Sequence, residues 1–347
     1  IHPPMMPETR DDQPAVSVLM ANYNSEPYLA AAIDSVLKQD LKSLELILVD
    51  DGSADGSVAL AQGIAARDPR LRVFSGTRFG GPAPVRNFAL SKARGDWIAI
   101  VDSDDLIHPQ RLSRMMAAAK AAQADILIDD LAIFDGDGSS GIDTMFDGPL
   151  ADKPTTISEQ TYIRANFLFG KGTKLGYAKP LILHKALETH AIRYNEAMRI
   201  GEDYDLIVRL LGKGCLMATL PETLYFYRKH SASISHRLDR ESLEALQATA
   251  QADTSVAGQS ADVRAANRDR LKSIQRAIGF DRLVTAIKKA DVTTVFSLLM
   301  RQPSAFTLLH LPLSARLNAL FPKQRDAAPE IVSMIAELDR STAHGRQ

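Results

Sequence analysis

Trp97-Ile98-Ala99-Ile100-Val101-Asp102-Ser103-Asp104-Asp105 is an apolar run of strand length that ends abruptly in carboxylates. A short, continuous apolar run of this kind reads as a strand buried on both faces. The same grammar recurs on either side of it. Val16-Ser17-Val18-Leu19-Met20 is a buried strand running into Ala21-Asn22-Tyr23-Asn24, and Leu44 to Val49 is a second running into Asp50-Asp51-Gly52-Ser53. Leu71-Arg72-Val73-Phe74 reads as a third strand and Ile126-Leu127-Ile128 as a fifth. Between them lie helical patterns: Tyr28 to Gln39 with Leu29, Ile33, Val36 and Leu37 on one face, Val58 to Ala66, a stretch through Arg86, Leu90 and Ala93, and Arg111 to Ala122. Strands alternating with helices predict an α/β fold, a Rossmann-like, mostly parallel sheet with helices on both faces and right-handed crossovers.

Ligands of open α/β sheets sit beyond the carboxyl ends of the strands. Both acidic clusters, Asp50-Asp51 and Asp102 to Asp105, fall at such ends. Carboxylates there offer hard oxygen ligands to Mg2+ or Mn2+, which bridge phosphate oxygens well. Two ordinary structural roles compete. The Asp102 cluster could cap the helix beginning near Pro109, and Asp50-Asp51-Gly52-Ser53 could be an Asx turn. One Asp can cap while its neighbour reads a base, so the readings are compatible.

Asp135 to Pro154, with Gly136, Gly138, Gly141 and Gly148, reads as a loop or hairpin. Gly201-Glu202-Asp203 opens a helix whose inner face carries Asp203, Leu206, Leu210 and Ile207. An acid on that face points inward or at a cleft, although a first-turn acid is also favoured by the helix dipole. Cys215 to Leu220 and Leu224 to Tyr227 read as two short strands. Beyond about His236 the pattern is helical to the end. Leu271, Ile274 and Ile278 form one stripe, and residues 302–323 are rich in Leu and Phe around Pro312. Packing on the body or on a second subunit is the expectation there, with an in-plane membrane contact as the alternative. Trp97 and Cys215 read as core, and His184, His190 and His236 as ordinary polar positions.

The chain has 347 residues, enough for a main domain and an appendage, and its 41 Lys+Arg against 42 Asp+Glu exclude a broad nucleic-acid footprint. A single cysteine permits no internal disulfide and favours a reducing compartment. Ile1-His2-Pro3-Pro4-Met5-Met6 lacks a signal-peptide pattern and reads as an addition ahead of a start at Met5 or Met6. With no apolar run of membrane-spanning length, the expected location is cytoplasmic, with a peripheral contact at the inner face of the membrane left open.

These motifs together resemble the family 2 glycosyltransferases of the GT-A fold. The resemblance is carried by Val16 to Asn24, Val49-Asp50-Asp51-Gly52-Ser53, Ala83-Pro84-Val85-Arg86-Asn87, Ala93-Arg94-Gly95-Asp96-Trp97 and Asp102-Ser103-Asp104-Asp105. It continues through Arg193-Tyr194-Asn195-Glu196, Gly201-Glu202-Asp203-Tyr204-Asp205 and Tyr227-Arg228-Lys229-His230. It implies a catalytic domain over residues 15–236, with a nucleotide-binding half at 15–130 and an acceptor-binding half at 131–236. Residues 1–14 are then an N-terminal extension and 237–347 a helical C-terminal region contributing packing rather than chemistry.

The resemblance also implies a metal-dependent, inverting transfer of a sugar from a nucleotide diphosphate, favouring UDP, to a saccharide or lipid-linked hydroxyl in surface or exopolysaccharide synthesis. Ala21, Tyr23, Asp51, Arg86, Asp102 and Ser103 would bind the nucleotide sugar. Asp104 would hold Mn2+ or Mg2+, with His230 helping beside Ser233 and Ser235. Asp203 would be the catalytic base, and Lys179 and Glu202 would lie on the acceptor side. This chemistry needs a cation to neutralise the departing diphosphate and a carboxylate to take the acceptor's proton. A nucleotidyltransferase would instead show a Gly-rich basic loop where Asn22-Tyr23-Asn24-Ser25-Glu26 stands, and a dinucleotide oxidoreductase a G-x-G-x-x-G. A non-catalytic sugar-nucleotide-binding subunit would not need both Asp104 and Asp203.

Overall fold

The computed structural model describes residues 13–76, 78–135, 142–170, 172–198, 200–230, 240–309 and 329–340. The expectations for residues 1–12, Gly136, Gly138, Gly141, Ser233, Ser235, His236 and the Leu/Phe run from Leu311 to Phe321 lie outside the described residues.

Strand and helix alternate as the apolar pattern requires: β1 (Val16–Asn22), α1 (Glu26–Leu37), β2 (Leu44–Asp50), α2 (Ser57–Ala65), β3 (Leu71–Phe74), α3 (Pro82–Lys92), β4 (Trp97–Ile100), β5 (Leu106–Ile107), α4 (Arg111–Ala121) and β6 (Ile126–Asp135). Because side chains alternate along a strand, each central strand feeds two cores. Val16, Val18 and Met20 of β1 pack with Leu29, Ile33 and Val36 of α1 and Leu112 and Met115 of α4. Leu19, with Ile98 and Ile100 of β4, packs on the other side against Val85 and Ala89 of α3.

The second half runs β7 (Ile142–Thr144), α5 (Pro149–Asp152), β8 (Thr156–Ile157), α6 (Glu159–Ala165), β9 (Leu181–Leu183), α7 (His184–Thr189), α8 (Glu202–Gly212) and β10 (Met217–Lys229). The sheet order is β3-β2-β1-β4-β9-β6-β10-β5, with β7 on β6 and β8 on β10. β1, β2, β3 and β4 pair parallel, as do β6 and β10. β9 lies antiparallel between β4 and β6, so the mixed sheet joins a parallel block, β3-β2-β1-β4, to the parallel β6–β10 pair.

Three departures from the sequence reading have physical causes. β9 has only three residues between Pro180 and a helix, too few to show a period. The two short strands expected at Cys215–Leu220 and Leu224–Tyr227 are one strand, β10, whose register shifts between Leu220 and Thr223 and again before Tyr225. Those shifts accommodate Pro221, which has no N–H to give the ladder. β6 continues to Asp135 through two buried acids that interrupt the apolar run. Arg111 donates to Asp129 at 2.7 and 2.9 Å, and Asp130 accepts backbone N–H groups of Leu131, Met145 and Phe146. Removing one partner of the Arg111–Asp129 pair would strand a buried charge, a cost of about 3–5 kcal/mol. After Asp135, where a loop or hairpin is expected, β7 pairs antiparallel with β6, and the short α5 follows.

The C-terminal region supplies α9 (Arg240–Asp253), α10 (Ala261–Lys288), α11 (Val292–Arg301) and α12 (Pro329–Arg340). Val263 and Ala266 of α10 join the main core, while Ile274 and Ile278 pack on Leu243 and Leu246 of α9 and on Met198. Ile335 and Leu338 of α12 pack on Leu106, Phe134 and Phe226. Among the described residues no helix is long and apolar enough to cross a membrane.

Several motif residues are framework. Gly95 runs so close to β1 that a Cβ there would stand 2.4 Å from the Ser17 nitrogen. Arg94 donates to the buried Glu45 carboxylate. Asn87 clamps the Arg193–Glu196 motif, donating to the Tyr194 carbonyl at 2.9 Å and accepting its N–H at 2.8 Å. Trp97 and Cys215 are buried, and a ring nitrogen of His184 meets the Gly95 carbonyl at 2.8 Å.

Candidate active site

β4 delivers Asp102, Ser103, Asp104 and Asp105 to one loop, but the three acids are held in three different ways. Asp105 is fully buried, accepting from the Tyr225 hydroxyl at 2.6 Å and the Arg228 N–H at 2.8 Å. Burial and the charges of Asp104 and Asp102 push its carboxyl well above the usual range. It ties the loop to β10, which no reading of the sequence assigned to Tyr225 or Arg228. The only signal was Arg228's place in the Tyr-Arg-x-His motif. No acid of this cluster caps the next helix: α4 begins at Arg111 without a side-chain cap.

Asp102 faces two cations. Arg86 donates to one oxygen at 2.9 Å, and the Lys179 ammonium lies 2.5 Å from the other. Burial alone would raise the Asp102 pKa, but these charges outweigh it and bring it down to about 2. Burial would likewise lower that of Lys179, yet Asp102 and Asp203 raise it, so both partners stay charged. Lys179, expected on the acceptor side, is fixed from behind by Arg111, which donates to its carbonyl at 2.6 Å.

Asp104 is the acid least satisfied by protein. The ring nitrogen Nε2 of His230 is the side-chain atom that reaches it, at 2.8 Å. Burial, with the Asp102 charge, raises its pKa despite His230. His230 itself stacks on Tyr28, ring centroids 4.9 Å apart, and Arg228 lies over the other part of that platform at 5.1 Å. Oxygen ligands of Asp102, Asp104 and Asp105 lie within 4.8 Å of one another. A carboxylate pushed toward protonation by a neighbouring acid, with an imidazole alongside, is a donor set that suits a divalent cation.

The second half of the site arrives with α8. Gly201, at a left-handed φ of 83°, turns the chain into the helix. Arg86 on α3 then donates to Glu202 at 2.7 Å and to Asp203 at 3.0 Å, besides Asp102. One buried guanidinium therefore joins three acids from two motifs about 100 residues apart in sequence. Lys179 stands 4.0 Å from Asp203. Burial, reinforced by the Asp203 charge, pushes the Glu202 carboxyl up to about 7 against the pull of Arg86.

The first two strand ends lie beside this loop, on the parallel neighbours β1 and β2. Tyr23 is exposed beyond β1, and Ala21 is partly buried. Asp50 makes the Asx turn, accepting from Gly52 and Ser53 N–H groups and from Asn22. Asp51 accepts from the N–H groups of Phe79 and Gly80, holding the loop before α3. Ser103 is buried and accepts from Ser25 at 3.0 Å.

A sequence model of the family described as Glycosyl transferase family 2 matches residues 17–173. The succinoglycan biosynthesis protein ExoO of Rhizobium meliloti (strain 1021) is 33% identical over 341 residues, covering 97% of each chain. ExoU of the same organism is 30% identical over 227 residues, 64% of this chain and 65% of that one. Among solved structures, S. aureus TarS 1–349 in complex with UDP-GlcNAc superposes with a TM-score of 0.59 at 21% identity, over 95% of this chain and 92% of that one. The fold is shared at that distance.

Proposed function

This chain belongs to glycosyl transferase family 2, and from that premise we propose that it is an inverting, divalent-cation-dependent transferase. It moves a sugar from a UDP-sugar to a hydroxyl of a saccharide or lipid-linked saccharide during exopolysaccharide assembly. The observation that carries this reading is the convergence of Asp102, Glu202 and Asp203 on Arg86, beside an acid pair and an imidazole. ExoO and ExoU support the pathway, and the UDP-GlcNAc held by TarS supports the donor class.

In this reading Tyr23 packs on the base, Asp51 accepts its N–H, and Ala21 and Ser103 line the nucleoside. Asp102, kept ionised by Lys179 and Arg86, accepts hydroxyls of the ribose or sugar. Asp104 and His230 would hold the cation. A bound Mn2+ or Mg2+ supplies charge neutralisation for the leaving diphosphate. Asp203 takes the acceptor proton as the acceptor oxygen bonds to the anomeric carbon and the bond to the diphosphate breaks, which inverts that carbon. Arg86 and Lys179 orient Asp203 through contacts at 3.0 and 4.0 Å, and Glu202 borders the acceptor. Residues 15–236 carry this chemistry and 237–347 buttress it. The buried lone Cys215 suits a reducing, cytoplasmic setting.

A panel of UDP- and GDP-sugars with Mn2+, read by calorimetry and by slow donor hydrolysis, tests the proposal. Saturable binding of one UDP-sugar that chelation abolishes is expected. Binding of none, or binding untouched by chelation, overturns it.

A further inference from the structure

Helix α11 leaves most of its apolar stripe exposed. Val292, Val295, Phe296, Leu299 and Met300 fall on one stripe at three- and four-residue spacing. Val292, Phe296 and Met300 are 77%, 64% and 69% exposed, and no residue of the helix is buried. Its opposite side, carrying Thr294, Ser297, Leu298 and Arg301, faces a groove of about 1010 Å³ shared with α10. A surface helix ordinarily packs its apolar stripe on the body and shows water its polar side. Here Val292, Phe296, Leu299 and Met300 point outward, while the half-buried residues are Thr294, Val295 and Leu298.

Charge selects the occupant. Around α11 the exposed charges are Lys288, Lys289 and Arg301 against Asp291, whereas the whole protein balances 41 Lys+Arg against 42 Asp+Glu. Lys288 and Lys289, both exposed, immediately precede the helix. Two copies joined through this face would bring like charges together. An anionic lipid surface neutralises them while it accepts the apolar stripe.

We propose that α11 is a membrane-surface anchor. It lies in the plane of an anionic bilayer, with Phe296, Leu299 and Met300 among the acyl chains and Lys288 and Lys289 at the headgroups. The anchor rests on α11 and its flanking residues and stands independently of the sugar-transfer reading.

The test is co-sedimentation of the full chain with phosphatidylcholine vesicles, with and without one third phosphatidylglycerol. The parent is expected to bind the anionic vesicles at least ten-fold more than neutral ones. Phe296→Glu/Leu299→Glu should lose that binding ten-fold or more while its thermal unfolding stays like the parent's. Lys288→Glu/Lys289→Glu, which spares the apolar stripe, should reduce the anionic preference. Equal binding to both vesicle types, or parent-like binding by the Phe296/Leu299 variant, overturns the anchor. Sedimentation velocity supplies the remaining arm: a parent dimer that the Phe296/Leu299 variant dissociates would assign the face to a second copy instead.

Discussion

Arg228 and Asp339, 111 residues apart in sequence, meet through two hydrogen bonds of 2.9 and 2.7 Å. The same Arg228 donates from Nε to the Asp104 carbonyl at 3.0 Å and from its backbone N–H to Asp105. The last helix therefore props the acidic loop from behind, although it lies far beyond the matched family segment.

Asp339→Ala should lower stability by about 2 kcal/mol, because Arg228 is buried and would lose charge-assisted partners. If the loop is positioned through Arg228, cation-dependent UDP affinity should fall about ten-fold as well, with Asp339→Glu recovering part of both. Urea unfolding and calorimetry measure the two effects. A variant with lowered stability but unchanged UDP affinity would reduce Asp339 to a packing role.

Asp104→Ala should remove the cation dependence of UDP binding, since it deletes the carboxylate that the protein itself satisfies least. Calorimetry with Mn2+ and then with chelator reads this directly. Affinity that still drops on chelation would move the ligand role to Asp102 or Asp105.

Asp203→Asn is expected to leave UDP affinity near the parent value while transfer falls about 10²-fold or more, the scale of a lost general base. The amide oxygen of Asn still accepts from Arg86, whose bond to Asp203 is 3.0 Å, so the site should keep its shape. Single-turnover transfer with the identified donor decides it, and near-normal turnover would shift the base to Glu202 or Asp205.

Glu202 makes the pH dependence specific. Its folded pKa of about 7 lies above the ordinary 4.5, so the folded state binds the proton more tightly than the unfolded one. That contribution to stability is fully present below about pH 4.5 and is lost as pH rises through 7. Asp102 acts oppositely: its pKa of about 2 lies below 3.8, so its contribution is present above about pH 4 and lost as pH falls toward 2. Glu202→Gln should flatten the decline between pH 4.5 and 7 in denaturant titrations and leave the acid limb intact. An unchanged decline would assign it to Asp104 or Asp105, which burial also raises.

Sequence alone determined the α/β order, the strand ends that carry acids, and the helix that presents Asp203. Each of these is written locally, as an apolar period or as a residue type at the end of a buried strand. β9 and the far half of β6 were illegible for the same reason: three residues show no period, and Asp129 and Asp130 break one unless their partners Arg111, Met145 and Phe146 are known. The tertiary structure decided which acids are tethered by several donors and which, Asp104, meets chiefly His230. Asp50 and Asp51, or Asp102, Asp104 and Asp105, are equal as letters but differ in what crosses over them. It also decided that Arg86 gathers Asp102, Glu202 and Asp203, that α12 reaches Arg228, and that most of the apolar stripe of α11 faces outward. Contacts of that kind depend on how distant elements cross, because a charge is satisfied by whichever partner the packing brings near, and no local pattern records that partner.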